Sequence, residues 1–403
     1  MIWQSDMNLS DSFQVKEAEQ FLQQVEDTNS DAIMYLTVYP MEGFDKVTDD
    51  GLQQMVEFVV KVVSSGRSMF IRYASEMNGD WFAYGQKPAA FIESWKRIVG
   101  AVRKATSNSD KVAFIWAPNK GEGYPFATLN GKSASDFSES VAMDSNNNGK
   151  FDASDDPYTP FYPGDDWVDW VGLSLYHYGD ISLNNPFPDH PKKLDYVWMT
   201  NTMTLDNEVS NIIKGDSGDR PGHFNIYEMF SGTGHESKSK GGKPFFITES
   251  ATTYHMSFAN GSEILHSADI VEMKRSWWRQ IFNPDFLAQY PQVKAFSFFE
   301  FVKFEDVTWR DFTVLGSYGN LGAPNTKWHA LKQNIVLKAF QDDLKGDVGK
   351  TITWAKKTTS MRSGNKNGTS TEHSRAHAVV GSYSLGPVLL SVAILLVPFG
   401  LSL

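Results

Sequence analysis

Two glutamates carry the chemistry that this sequence offers. The first lies in Met69-Phe70-Ile71-Arg72-Tyr73-Ala74-Ser75-Glu76-Met77-Asn78-Gly79-Asp80-Trp81-Phe82-Ala83-Tyr84. There an apolar run fit for a buried parallel strand breaks off in Ser, Glu, Asn and Gly. The second lies in Lys243-Pro244-Phe245-Phe246-Ile247-Thr248-Glu249-Ser250-Ala251, again an apolar run interrupted by an acid. Paired carboxyl groups suit cleavage of a glycosidic bond. One protonates the leaving oxygen, and in retaining chemistry the other attacks the anomeric carbon from about 5 Å away. Trp81 and Tyr84 follow Glu76 closely and offer flat apolar faces to a pyranose ring. Alone, the first stretch is balanced between this use and a strand-end ion pair with core aromatics. The second stretch tips the balance.

Two such distant acids meet only if the fold carries both to one face. Strands are expected at 32–39, 69–75, 112–117, 169–176, 244–249 and 293–300, alternating with helices near 10–28, 48–65, 88–106, 270–281 and 328–340. Thr48 or Asp49 is a natural N-cap and Gly66 a natural stop. Strands alternating with helices argue for a parallel α/β fold. In a (β/α)8 TIM barrel, groups from several strand ends converge at the carboxyl face, so Glu76 and Glu249 can meet there. Six strands are legible where a barrel has eight. Ile2-Trp3-Gln4-Ser5 reads as the stub of one more. The expectation is a barrel apparently truncated at its N-terminus, with strands 1–2 largely missing.

The set Arg72-Tyr73-Ala74-Ser75-Glu76-Met77-Asn78-Gly79-Asp80-Trp81-Phe82, Trp116-Ala117-Pro118-Asn119, Asp169-Trp170-Val171-Gly172 and Ile247-Thr248-Glu249-Ser250 resembles glycoside hydrolase family 26, and looks closest to its fungal members. The resemblance covers roughly residues 1–340. It implies a (β/α)8 barrel with Glu76 as acid/base after strand four and Glu249 as nucleophile after strand seven. It makes Arg72, Asn78, Trp81, Tyr84, Trp116, Asn119 and Tyr176 candidates for substrate binding. Two positions depart from the family pattern. Ser75 stands where β-mannanases of the family usually carry His, and Phe299 is nearest to a Trp common on strand eight of the clan.

The chemistry asks for different protonation states. Glu76 must start protonated, which burial or the charge of Glu249 would favour. Glu249 must be ionised, which hydrogen bonds from Arg72 or Tyr176 would favour. Trp81, Tyr84 and Trp116 are balanced between stacking on sugar and packing in the core. His177 reads as a satisfied structural histidine. No cofactor is required for this chemistry.

A separate stretch, Asp144 to Asp155, matches a calcium loop. Oxygen ligands Asp144, Asn146, Asn148, Asp152 and Asp155 fall at positions 1, 3, 5, 9 and 12, with Lys150 giving its carbonyl at position 7 and Gly149 the sharp turn. Asp155 in place of Glu shortens the last reach. A structural Ca2+ is therefore expected in a barrel loop, against the plainer reading of a solvated Asx-rich turn.

Composition narrows the partners. The 403 residues carry a net charge of −11 and no long basic run, which excludes nucleic acid as a natural partner. Aromatics make up 14 % and favour a large core and contact with carbohydrate. There are no cysteines, so thiol catalysis is excluded. Three regions are expected: a catalytic barrel over 1–345, a flexible stalk over 346–384 and an apolar tail over 385–403. Small residues, a polar spacer and such a tail form a GPI-anchor signal, with Asn367, Gly368 or Ser370 as attachment residue. The segment before Ser10 lacks the features of a signal peptide. The expectation is therefore a shortened form of a longer secreted, glycosylated, monomeric protein held at the cell surface. The leading reading is a retaining endo-β-glycosidase of β-mannan or β-glucan. A wall-remodelling transglycosylase and a non-catalytic wall-binding protein are the alternatives.

Overall fold

The computed structural model describes residues 2–126, 139–179, 201–216, 224–232, 242–261, 264, 268–305, 308–315, 326–358 and 391–396. Its frame is a run of parallel strands in sequence order. β1 (Ile2–Asn8) pairs with β2 (Ile33–Tyr39) along its whole length, from Ile2 opposite Ile33 to Asn8 opposite Tyr39. β3 (Met69–Tyr73), β4 (Val112–Trp116), β5 (Trp170–His177), β6 (Phe245–Thr252) and, beyond a small side sheet, β8 (Val293–Phe298) continue the order, each parallel to the last. Helices α1 (Val15–Asp27), α2 (Asp49–Ser64), α3 (Pro88–Ala105) and a later helix, Ile270–Ile281, connect or flank them. This is a (β/α)8-type arrangement with seven parallel strands.

Alternation along the strands sorts the side chains into two cores. Met34, Leu36 and Val38 of β2 face outwards and pack with helical residues such as Phe21, Met55, Phe58, Trp95 and Val99. The opposite face supplies a separate apolar floor inside the barrel: Ile2, Tyr35, Phe70, Ile115, Ala117, Phe246 and Ala295. Gly172 is needed there. A Cβ on it would come within 2.7–2.8 Å of Thr248, Ala117 and Ile115. Above the floor lies a polar layer in which Ser297 donates to Gln4, and Gln4 donates to Thr37 and Asp6.

That polar layer explains a correction to the strand count. The stub expected at Ile2–Ser5 is a complete seven-residue strand. Its inward residues, Gln4 and Asp6, interrupt the apolar run by which a buried strand is recognised. If Glu76 follows strand four, β1 occupies the place of strand two. One place in the ring then lacks a parallel strand, and β12 (Ser391–Leu396) fills it, antiparallel to both β1 and β8. The tail expected to stand apart from the barrel thus contributes six residues to its wall. The Asn-x-Ser/Thr glycosylation sequons that begin at Asn260 and Asn367 include residues outside those described. Of the stalk expected over 346–384, residues 346–358 are described and are structured: they hold a short helix, Asp347–Lys350, and β11 (Ile352–Thr353), which pairs with β12.

A second sheet was not legible in sequence. β6 runs on almost without pause into β7 (Tyr254–Phe258), which pairs with β10 (Thr308–Asp311), which pairs with β9 (Val302–Glu305), all antiparallel. It stands at the carboxyl ends of β6 and β8. Among the described residues, no helix is long and apolar enough to cross a membrane.

The pairing of β12 has a direct consequence. Removing residues 385–403 would bare the hydrogen-bonding edges of β1 and β8, and open edges invite aggregation. The shortened chain is expected to melt several degrees lower and to aggregate in light scattering. An unchanged melting temperature and a monodisperse protein would show that the wall does not need this strand.

Candidate active site

Glu249 owes its position to a bulge. Phe246 faces the barrel interior and Ile247 faces the helices. Strict alternation would then turn Glu249 outwards. The register of β6 against β8 slips between Ile247 and Ser250, and that against β5 slips beside Leu173. An extra residue of this kind re-aims the side chains after it. Thr248 lies against the interior groups near Gly172, Ser250 accepts from Trp277 of the outer helix, and Glu249 points inwards with Arg72.

Arg72 on β3 is wholly buried and pairs with Glu249 Oε1. It also donates to Ser75 Oγ at 2.9 Å and to the Tyr39 hydroxyl at 3.2 Å. The Tyr176 hydroxyl at the end of β5 donates to Glu249 Oε2 at 2.7 Å. Each carboxylate oxygen therefore has its own donor, and the plane of the group is fixed. Leaving such a pair with one partner costs several kcal/mol, so Arg72 and Glu249 stand or fall together.

Glu76 sits on a turn that L-residues seldom adopt. Its φ is +56°, and that of Ala74 is +46°. Strain of this sort marks a segment held in place by its surroundings. The holds are visible: Glu76 N–H donates to Ala117 O, and the Tyr84 hydroxyl donates to Ser75 O at 2.8 Å. Glu76 Oε2 accepts from Trp81 Nε1 at 3.0 Å. Burial pushes the Glu76 acid up to about 7, and the charge of Glu249 adds to the rise, while Arg72 and Trp81 oppose it. A carboxyl so placed stays largely protonated in mildly acidic solution and keeps a substantial protonated share at neutral pH, which is what a general acid requires.

The other expected residues divide. Trp81 is 41 % exposed and lies edge-on to Phe126, so it keeps a surface for a ligand beside Glu76. Tyr84 and Trp116 are fully buried and present no face to a sugar. Tyr84 stacks on Phe82, and Trp116 donates to Phe161 O while packing against Tyr162 and Phe230. Of their two open uses, the core has taken both. Asn78 and Asn119 bond each other, Nδ2 of Asn78 to the Asn119 carbonyl and Asn119 N–H to Asn78 Oδ1, and so tie the end of β4 to the Glu76 turn. Arg72 and Tyr176 meet Glu249 rather than open space. His177 is structural as expected, bonded to Glu208 and to Thr202 O.

Two site residues escaped the sequence. Asp6 of β1 lies near Arg72 and Glu249. Burial pushes it up to about 6, with Arg72 opposing. Tyr178 stands beside Tyr176, with ring centres 5.6 Å apart, and burial together with Glu305 holds its hydroxyl far above the usual range. The first was hidden in a strand read as a stub. The second was hidden behind its neighbour.

The loop from Asp144 to Asp155 closes on itself. Asp155 accepts from the N–H groups of Ser145 and Asp152, Asp144 from those of Asn148 and Gly149, and Asn148 from that of Lys150. Among the described residues, no group of three or more His, Asp or Glu side chains is gathered as a metal centre. The donor set is all oxygen, which suits a hard cation such as Ca2+, but its oxygens are turned to backbone N–H groups.

No protein-family profile matches the chain, and no curated protein is similar to it. Similar solved structures include the catalytic domain of a Bacillus sp. JAMB-750 GH26 endo-β-1,4-mannanase, at 15 % identity over 82 % of this chain and 69 % of that one, with a TM-score of 0.43. They also include the Bacillus subtilis mannanase BCman, at 15 % identity over 68 % and 72 %, TM-score 0.32, and the YdhT protein of Bacillus subtilis, at 14 % over 72 % and 68 %, TM-score 0.35. What the site can do chemically follows from its own geometry.

The raised acid of Glu76 has a signature in stability. Between pH 4.5 and about 7 the folded chain keeps a proton that the unfolded chain has released. Rising pH therefore lowers stability through this group across that window. Glu76→Gln removes the titration. Its melting temperature relative to wild type is expected to rise steadily from pH 4 to 7 and then level off. A difference constant from pH 4 to 8 would contradict a raised acid.

Proposed function

We propose that this chain is a retaining glycoside hydrolase acting on a β-linked polysaccharide, β-mannan or β-glucan. One observation carries the reading: an acid raised to about 7 lies beside a second carboxylate whose two oxygens are each fixed by a donor, Arg72 and Tyr176. In the first step Glu76 gives its proton to the glycosidic oxygen as that bond breaks. Glu249 attacks the anomeric carbon and forms a glycosyl ester. In the second step Glu76, now ionised, takes a proton from water, which attacks the same carbon and releases Glu249. Trp81 holds Oε2 of Glu76 in place and offers its ring to the sugar. Asp6 and Tyr39 share the surroundings of Arg72 and help to set the charge balance behind the nucleophile.

Glu249→Gln is expected to lower turnover of the polysaccharide at least 1,000-fold, because the covalent route needs this nucleophile. In the wild type, kcat/KM is expected to fall as pH rises through about 7, where Glu76 loses its proton. Near-normal activity of Glu249→Gln, or release of products with inverted configuration by NMR, would rule the assignment out.

Ca2+ at the Asp144–Asp155 loop is a separate part of the proposal. It rests on the spacing of oxygen donors and on the left-handed turn at Asn147 and Gly149, with φ of +57° and +81°. Binding to the native state alone would stabilise it by mass action. Millimolar Ca2+ is expected to raise the melting temperature of the wild type and not that of Asp144→Ala. The same melting curve for both proteins with and without Ca2+ would remove the metal from the account.

A further inference from the structure

The side sheet of β7, β10 and β9 brings a charged face to the candidate site. Lys303 and Arg310 are direct cross-strand partners. Alternation puts Lys303 and Glu305 on one face of β9, with Arg310 opposite, and Phe304 on the other face with Trp309. Glu305 Oε1 pairs with Lys303 Nζ at 2.9 Å, and Oε2 pairs with Arg310 at 2.6 Å. This face turns towards the glutamates. The Arg310 guanidinium lies 5.7 Å from the centre of the Tyr178 ring. Tyr178 lies beside Tyr176, whose hydroxyl is on Glu249. The hydroxyl of Tyr178 feels the charges of Glu305, Glu76 and Glu249 together. The charged face is thus one tyrosine away from the reacting groups.

The aromatic rings here are not open platforms. Cations lie over Tyr178, Lys120 at 6.0 Å and Arg310 at 5.7 Å, and Lys303 lies 5.1 Å over Phe299. What the face offers is hydrogen bonding. The side chains of Lys303 and Glu305 remain 39 % and 33 % exposed, while Arg310 is buried at 3 % and fixes Glu305 from behind. Exposed pairs add little to stability, but a fixed ammonium beside a fixed carboxylate matches neighbouring hydroxyls of a sugar. The ammonium donates to one and the carboxylate accepts from the next, and hydrogen bonds to charged groups are the stronger ones.

We propose that Lys303 and Glu305 form a hydroxyl-recognising sugar subsite, which holds the unit of a β-linked chain that adjoins the bond cleaved between Glu76 and Glu249. This rests on the glycosidase reading above. The test is calorimetry with β-1,4-mannose and β-1,3- and β-1,4-glucose oligosaccharides, from dimer to hexamer. The full-length wild type, Lys303→Ala and Glu305→Gln are compared, with melting temperatures alongside. Each variant is expected to bind the hexamer about 10-fold more weakly, as loss of one charge-assisted hydrogen bond implies. The loss should already appear with the dimer, since both of its units adjoin the bond, and the melting temperature of the Lys303 variant should be unchanged. Lys303→Met keeps the apolar stem over Phe299 and replaces the Ala variant if that one melts early. Equal affinities in all proteins, with a wild type that binds and cleaves, would overturn the subsite and leave the glycosidase reading intact. A wild type that neither binds nor cleaves any of these sugars would overturn both.

Discussion

The Arg72–Glu249 pair is the constraint on which the site depends. A guanidinium with no exposed surface sits inside the barrel, and Glu249 is its nearest acid. Burying both charges is tolerable only while each faces the other. That requirement reaches outwards into the fold. It asks for a bulge in β6 that turns Glu249 inwards, for Tyr176 at the end of β5, and for Ser75 and Tyr39 beside the same guanidinium nitrogen that meets Glu249. It also sets the character of Glu76. The negative charge held on Glu249 helps to keep the neighbouring acid protonated, so one ion pair both orients Glu249 and raises the acid beside it.

The same pair explains why the barrel interior is layered. The floor is apolar, with the Tyr35 side chain reaching up to the charge of Arg72. The layer above it is polar. Gln4, Asp6, Thr37 and Ser297 bond one another there from β1, β2 and β8, and the charge of Asp6 acts on Arg72. At the mouth, Tyr176, Phe299 and Phe312 restore an apolar collar. The collar borders Glu249 through the Tyr176 hydroxyl, and Trp81 remains open.

The sequence was legible where strands were uniformly apolar and ended in an acid. Phe70-Ile71 before Glu76 and Phe245-Phe246-Ile247 before Glu249 announced strand, end and functional group together. It was illegible where one strand served two environments. β1 alternates between a helix-facing side and the polar interior layer, so it read as a fragment, and Asp6 was lost with it. Ring residues failed for another reason. Trp81, Tyr84 and Trp116 are the same kind of side chain, the last at the end of β4 and the other two in the turn that follows β3. Their fates differ because Tyr84 and Trp116 find a backbone carbonyl in the core, at Ser75 and Phe161, whereas Trp81 finds Glu76 itself. Spacing alone cannot decide such a competition. The side sheet was hidden likewise, because Lys303, Glu305 and Arg310 look like ordinary surface charges until β9 and β10 bring them together.

The tail closes the wall: residues 391–396 pair with β1 on one side and with β8 on the other. A strand paired on both sides has its backbone groups satisfied within the barrel. The two edges it covers carry inward residues of the polar layer: Gln4 and Asp6 on one, Ser297 on the other. Opening that seam would admit water behind Arg72 and weaken the hold on Glu249. Closure of the wall and the setting of Glu249 are thus linked through Gln4, which accepts from Ser297 across the seam and donates to Asp6 beside the ion pair.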